Sequence, residues 1–365
     1  MKTVLQINTV VNSGSTGRIA EEIGQTAIRC GWESIIAYGR NEKESSSKLI
    51  RIGNKKDVLI HGLRSRLSDK HGFYSLHATN EFIRQVEKIE PGIIHLHNLH
   101  GYYIHIGVLF NYLAGIKTPV VWTMHDCWPV TGHCAYFDFA KCEKWKTECH
   151  HCPQIHSYPK SICVDRSEWN FKQKKKLFTS VSDLTIVTVS DWLAGIVSQS
   201  FLSDLPVKVI HNGVDTEIFT PAHDNDIREK YNLQQKYILL GVANGWNYRK
   251  GLDDFIKLSK ELEENFQIIL IGLSDSQRKN LPGNIIGLGK LESAKELSRY
   301  YSAADILVNP SVEETFGMTI AEALACGTPA VVYNATACPE VISSDTGIVV
   351  EKNDIRELKD SIHAI

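Results

Sequence analysis

Short runs of aliphatic and β-branched residues alternate with longer stretches of helical periodicity from one end of the chain to the other. The first set of runs predicts strands at Val4–Asn8, Ser34–Tyr38, Ile93–Leu96, Val120–Met124, Thr185–Val189 and Val207–Ile210. A second set follows at Tyr237–Val242, Gln267–Ile271, Asn284–Leu288, Ile306–Asn309, Ala330–Tyr333 and Gly347–Val350. Runs such as TIVTV and QIILIG lack the polar alternation of a half-exposed strand, which fits strands covered on both faces. Strands that alternate with helices imply parallel sheets built from βαβ crossovers. The two sets are separated by HNGVDTEIFTPAHDND, a polar, turn-rich stretch without helical periodicity. The pattern therefore predicts two doubly wound α/β domains, residues 1–212 and 213–365. Ligands of such sheets bind beyond the carboxyl ends of the strands.

Composition adds limits to this picture. With 365 residues, 43% hydrophobic and 22% charged, the chain suits two ordinary globular domains. Its 40 Lys and Arg nearly balance 42 Asp and Glu, which argues against a dedicated nucleic-acid binder. The balance is uneven along the chain. Residues 1–210 hold 25 basic and 19 acidic side chains and the remainder 15 and 23, so the first part suits an anionic surface or substrate. The basic excess includes Arg64, Arg66 and Lys70, and the run Lys172, Lys174, Lys175 and Lys176, which otherwise reads as a solvated helix face. No stretch of 18 apolar residues predicts a membrane span, and the opening MKTVLQINTVVNSGSTG reads as a buried strand rather than a signal peptide. The expected location is the cytoplasm, where nine cysteines stay reduced and a cluster of them suggests a metal more than disulfides.

Four constellations carry candidate chemistry. In NSGSTGRIAEEI, Gly14 and Gly17 permit a tight turn into a helix starting near Gly17, whose N-terminus suits an anion. In NPSVEETFGMTIAEALACGTPAVV, a helix over Thr319–Ala325 would let Gly317 open backbone N–H groups to an anion while Glu314 faces the same pocket. Eight helical steps from Glu314 to Glu322 would span about 12 Å. Glycosidase carboxylates stand about 5–9.5 Å apart, so hydrogen bonding to sugar and ribose hydroxyls fits this pair better. The cysteines Cys134, Cys142, Cys149 and Cys152 end in a two-residue knuckle of the kind zinc sites use, with His133, His150 or His151 as alternative donors. Cys30, Cys127, Cys163, Cys326 and Cys338 read as core thiols. Finally, HLHNLHGYY places His97, His100, Tyr102 and Tyr103 after a predicted strand, as a polar and aromatic lining suited to sugar rings.

These motifs converge on a resemblance. The E-x-F-G-x-x-x-x-E-A pattern, the Arg249-Lys250-Gly251 turn after the strand Tyr237–Val242, and NGVD at Asn212–Asp215 resemble the retaining family 4 glycosyltransferases of the GT-B fold. DKHGFYSLHAT, IIHLHNLHGYYIHIGVLF, VVWTMHDCWPVTGHCAYF and CEKWKTECHHCPQIHSYPKS are similar to the colanic-acid and capsule type of bacterial polysaccharide glycosyltransferase. The likeness runs from residue 1 to about residue 358. It implies two Rossmann-like domains facing a deep cleft: an N-terminal acceptor domain, with a Cys-rich insertion at about 127–163, and a C-terminal nucleotide-sugar domain. It also implies catalytic roles for Glu314, His125 and Lys250. Glu314 would contact donor-sugar hydroxyls, Glu322 the ribose, and Lys250 the pyrophosphate, with His125 beside the sugar. The backbone at Gly287 and Leu288 would cradle the base, and Phe316, Gly317 and Met318 would lie under sugar and phosphate. Where the family often carries an Arg, this chain has Gly245; Arg249 either supplies the second cation or points away.

The implied reaction needs no metal or other cofactor, any zinc being structural. A hexose would pass from a UDP-sugar, or alternatively a GDP-sugar, to a hydroxyl of a lipid-linked surface-polysaccharide intermediate. Peripheral contact with the inner face of the cytoplasmic membrane would follow. The alternatives are a non-hydrolysing sugar-nucleotide epimerase of the same architecture and a non-catalytic nucleotide-sugar binder. The ending RELKDSIHAI falls inside the expected C-terminal helical region, so the terminal cross-over helix of the family is expected to be missing.

Overall fold

The computed structural model describes residues 2–222, 226–291 and 293–365, and the chain divides into two compact units, Met1–His211 and Asn212–Ile365. His223, Asp224 and Asn225 of the polar stretch between the two strand series lie outside the described residues.

Unit 1 runs β1 (Thr3–Asn8), α1 (Gly14–Arg29), β2 (Glu33–Tyr38), β3 (Lys48–Arg51), α2 (Lys55–Ser68), α3 (Leu76–Ile89), β4 (Ile93–Leu96), α4 (Ile106–Gly115), β5 (Val120–Met124), α5 (Ser167–Phe178), β6 (Leu184–Thr188), α6 (Asp191–Ser198) and β7 (Val207–Val209). Its sheet has the order β3-β2-β1-β4-β5-β6-β7, with all neighbours parallel. Every residue of β1 is buried, its polar Gln6 included, as a strand covered on both faces requires. Against β5, Phe110 and Phe178 pack 4.5 Å apart and Phe178 meets the edge of Trp122 at 4.8 Å. The Trp122 indole N–H, buried with them, finds the His97 carbonyl at 3.0 Å.

Unit 2 runs α7 (Asp226–Lys230), β8 (Tyr237–Val242), α8 (Leu252–Leu258), β9 (Phe266–Ile271), α9 (Asp275–Lys279), β10 (Ile285–Leu288), α10 (Ala294–Ala303), β11 (Ile306–Asn309), α11 (Met318–Ala325), β12 (Ala330–Tyr333), β13 (Gly347–Val350) and α12 (Ile355–Ala364). The order is β10-β9-β8-β11-β12-β13, again all parallel. Its core joins Ile238, Leu240, Ile269, Leu307 and Val332 of the sheet to Tyr301 of α10 and Ile320 and Ala323 of α11.

The strand expectations hold along both series, and one strand escaped them. β3 is an edge strand with three of its four residues exposed, so KLIR carries neither an apolar run nor an alternation. Helix α1 starts at Gly14, a turn earlier than expected, because Gly14 makes the turn itself at φ +64° and Gly17 already sits in the first helical turn. Cys30 and Cys163 are exposed rather than core thiols, one capping α1 and the other in the irregular segment before α5. Nor is the lysine run a uniformly solvated face. Lys174 is fully buried, since it lies three residues from both Phe171 and Leu177 on the core side of α5.

Candidate active site

In unit 2 the strand order reverses between β8 and β11, so the chains leaving these two neighbours diverge and open a crevice at their carboxyl ends. Lys250 closes the single turn Tyr248–Lys250 after β8, and Glu314 lies five residues beyond β11. Gly251, at φ +73°, presses this turn onto the other strand's exit: a Cβ there would stand 2.4 Å from the Pro310 carbonyl oxygen. The Lys250 ammonium consequently pairs with the Glu314 carboxylate. Arg249 turns to the same place: NH1 donates to the Glu313 carbonyl at 2.6 Å and stands 3.9 Å from Glu314 Oε2. Burial pushes the Glu314 carboxyl up, but Lys250 and Arg249 outweigh it and hold the group below the usual range, as a carboxylate.

The backbone of Glu314 is clamped independently of its side chain. Its N–H donates to Thr336 Oγ1 at 2.8 Å, and Thr336 Oγ1–H donates back to the Glu314 carbonyl at 2.7 Å. Three residues on, Gly317 caps α11 at φ +104°, a conformation that turns the loop into the helix and aims the first backbone N–H groups of α11 outward. Phe316 is buried beneath this turn, and Met318 begins the helix half-buried. Glu322, one turn deeper, is 2% exposed and accepts from the Tyr301 hydroxyl at 3.0 Å. Gly287 and Leu288 end the edge strand β10. Its own neighbours demand the glycine, since a Cβ would stand 2.4 Å from Leu281 Cδ1; the Leu288 carbonyl is taken by the N–H groups of Gly272 and Leu273.

In unit 1 the reversal lies between β1 and β4, which puts Gly14 and Gly17 beyond one strand and His97 to Tyr103 beyond the other. Here the structure separates the aromatic and histidine lining into contact and support. Tyr103 is a core residue, 1% exposed and packed on Gly39, because its hydroxyl reaches the Asn98 carbonyl at 2.8 Å. His97 is likewise buried. The Gln6 amide donates to the Ala20 carbonyl at 2.7 Å, leaving Gln6 Oε1 to accept from His97 Nε2–H at 3.0 Å. His97 Nδ1 is then an acceptor, and His125 Nε2–H, 3.1 Å away at the end of β5, must be its donor. The relay fixes the His125 tautomer with Nδ1 as the ring's acceptor. His97 thus positions His125 instead of lining the surface.

His100 stays at the surface of this network, with Nε2 2.6 Å from Asp126 Oδ2 and Nδ1 2.9 Å from the Tyr158 hydroxyl. Tyr102, half-buried at φ +70°, stands beside the Tyr158 ring. Asp126, Gln6, Thr336 and Tyr301 were not singled out from the sequence. Only Gln6 left a trace there, as a polar residue interrupting an otherwise apolar strand.

Comparison with known proteins follows the same division. The sequence profile described as "Glycosyltransferase Family 4" matches residues 16–218, and that described as "Glycosyl transferases group 1" matches residues 223–365. Over 97% of its length the chain is 25% identical to WcaC of Escherichia coli K12, named as a colanic acid biosynthesis glycosyl transferase, and covers 89% of that protein. Its fold matches the sucrose-phosphate synthase of Thermosynechococcus elongatus with a TM-score of 0.72 at 17% identity, over 100% of this chain and 90% of that one. It also matches the Anabaena protein HepE, solved in complex with UDP, with a TM-score of 0.68 at 14% identity over 100% and 89% of the two chains. The fold is GT-B, two parallel-sheet α/β domains.

The histidine stack of unit 1 gives a testable pH dependence. Burial, the dominant cause, holds His95 and His125 to about 4 and His97 well below the ordinary value. Unfolding returns all three to about 6.5. Between those limits the unfolded chain binds more protons, so stability is full above about pH 6.5 and falls as the pH drops toward 4. Denaturant unfolding at pH 5 should couple to uptake of at least two protons, a slope of about 2.7 kcal/mol per pH unit. A flat stability profile from pH 7 to 5 would contradict the burial of this stack.

Proposed function

Because the chain belongs to glycosyltransferase family 4 and is a group 1 glycosyltransferase, we propose that it is a retaining, metal-independent hexosyltransferase of surface-polysaccharide synthesis. The donor is a UDP-sugar, with a GDP-sugar as the alternative, and the acceptor a hydroxyl of a lipid-linked intermediate. The observation that carries this reading is the cluster of Lys250, Arg249 and Glu314 at the strand reversal of unit 2, beside the N-terminus of α11. Without ligand the cations neutralise Glu314. A pyrophosphate entering the crevice offers them a more highly charged partner and frees the Glu314 carboxylate to accept hydrogen bonds from the donor sugar.

As the bond from the anomeric carbon to the pyrophosphate breaks, negative charge grows on the leaving oxygen. Lys250, Arg249 and the N–H groups at the start of α11 stabilise that charge without reorganising. The carboxylate of Glu314, held ionised, steadies the positive charge on the sugar. Glu322, oriented by Tyr301, serves the ribose hydroxyls, with Gly287 and Leu288 next to the base and Phe316, Gly317 and Met318 under the sugar and phosphate. Unit 1 takes the acceptor with His100 and Tyr102, while its neutral His125 stands beside the donor sugar and its turn at Gly14 and Gly17 serves the donor. The names of WcaC and HepE support a polysaccharide product and a uridine donor.

A lipid-linked acceptor needs a membrane-facing surface, and α2 has the character of one. Leu59, Leu63 and Leu67 recur at every fourth position and are 72%, 55% and 54% exposed, with Ile60 beside them. Lys55, Lys56, Arg64 and Arg66 on the same helix are exposed too. Ile162, tethered through its N–H to the Arg66 carbonyl at 2.9 Å, extends the apolar patch. Apolar and basic residues on one exposed helix match the interface of an anionic bilayer. Among the described residues no helix is long and apolar enough to cross a membrane.

Two measurements test these assignments. A nucleoside diphosphate at about 100 times its Kd should stabilise the protein by about 2.7 kcal/mol. UDP or GDP should therefore raise the Tm, and Lys250→Ala should abolish the rise; if neither nucleotide acts, or the variant responds unchanged, the donor site is misassigned. A donor sugar that changes configuration without an acceptor would instead favour the epimerase. For the membrane, the protein should co-sediment with vesicles containing phosphatidylglycerol at low salt, less so with neutral ones. Replacing Leu59, Leu63 and Leu67 with Ser should release it, and wild-type protein that stays in the supernatant would refute the surface.

A further inference from the structure

The segment of residues 125–166, between β5 and α5, is not explained by the sheet of unit 1. It contains three single-turn 3-10 helices and no strand, yet it buries Trp128, Phe137 and Trp145, with the last two rings stacked 4.9 Å apart. Ordering some forty residues costs about 1–2 kcal/mol each in backbone entropy, and a bound ion would help to offset it where no strand ladder runs. Cys134, Cys142, Cys149 and Cys152 border a single cavity inside it, with His133 and Trp145. All four are free thiols, Cys134 and Cys149 buried and Cys142 and Cys152 half-buried.

His133 supplies an independent pointer. Its Nδ1 stands 2.6 Å from Asp69 Oδ1, and Asp69 is locked from all sides. His71 Nε2 reaches the same oxygen at 2.6 Å, the Arg166 N–H donates to Oδ2 at 2.7 Å, and the Asn170 amide donates to the Asp69 carbonyl at 2.5 Å. With Nδ1 committed to Asp69, Nε2 is left fully buried, on a residue that lines the cysteine cavity, without a hydrogen-bond partner. Asp69, His71 and His133 themselves bring donor atoms within 4.8 Å of one another. Their 2.6 Å separations are those of hydrogen bonds, however, and make them a hub that orients His133 toward the thiols. Lys174 is buried nearby, its Nζ on the carbonyls of Trp128 and of Thr131, a residue of the cavity lining, at 2.7 and 3.0 Å.

We propose that this segment is a structural zinc site, in which the sulfurs of Cys134, Cys142, Cys149 and Cys152 close around one Zn²⁺ and Asp69-anchored His133 supports the thiolate cluster from outside. Four thiolates at about 2.3 Å in a tetrahedron are the arrangement zinc takes in closed structural sites. Binding releases the thiol protons to solvent and changes no oxidation state. The ion would staple the segment that leads to Tyr158, so that zinc helps to hold this partner of His100, whereas the other, Asp126, is held at the end of β5.

The test is metal content of the full-length chain purified without chelators. One zinc per chain is expected, released stoichiometrically when an organomercurial modifies the thiols; cobalt exchanged into the site should show sulfur-to-cobalt charge transfer. Cys142→Ser and Cys149→Ser should lose the metal, whereas Cys163→Ser, at an exposed thiol outside the cavity, and His133→Gln should keep one equivalent. Wild-type protein that carries only traces of zinc and takes none up from solution would overturn the proposal, whether or not the serine variants fold. Loss of zinc from His133→Gln as complete as from Cys142→Ser would overturn the four-thiolate assignment.

Discussion

The reversal of strand order in each parallel sheet is the constraint on which the rest of this structure depends. Strands buried on both faces must satisfy their backbone groups along their length, which leaves them no freedom to carry chemistry. At the reversal the chains leaving two neighbouring strands diverge to opposite faces. Their exits supply what the sheet cannot: unpaired N–H groups, turns and side chains aimed at a shared space. Lys250 and Glu314 meet because β8 and β11 are neighbours, although 64 residues separate them in sequence. His97 and Gln6 meet because β1 and β4 are neighbours.

What fills the two crevices differs in electrostatic design. In unit 2, burial and charge oppose each other at Glu314, and the two cations prevail, so a carboxylate is kept ionised in a largely dry place. The cations beside it are themselves largely desolvated, where a charge counts for more than it does in water. In unit 1 burial prevails over three stacked histidines, at His125 against the pull of Asp126, and the result is a neutral relay with a defined tautomer. One crevice pairs two cations with a carboxylate, and the other sets neutral histidines beside the Asp126–His100 pair.

Much of this was legible in the chain itself. The strand runs, the division into two α/β domains and the glutamate, lysine and glycine motifs of unit 2 follow from local pattern, because a parallel strand's burial is written in its own consecutive residues and a helix cap in its own turn. The thiol cluster was legible for the same reason, its donors being close in sequence. The places where the pattern misled were positions whose environment is made by distant segments. Tyr103 and His97 follow a strand end as a lining residue would, yet the first is closed over by Gly39 and the second by Gln6 and Trp122. Lys174 reads as one charge in a solvated run until Trp128 folds over it, 3.5 Å from its ammonium.

The sequence by itself therefore determined which elements form, how they alternate and which residue types stand at their ends, since these depend on interactions a few residues long. Tertiary structure alone decided direction and partnership. It turned Arg249 to the same carboxylate as Lys250, made His97 a support for His125, joined Asp126 to His100 and faced His133 toward the cysteines. Each of those outcomes depends on which strands lie side by side. That choice is made by the packing of whole sheets and their helices, and no short stretch of chain encodes it.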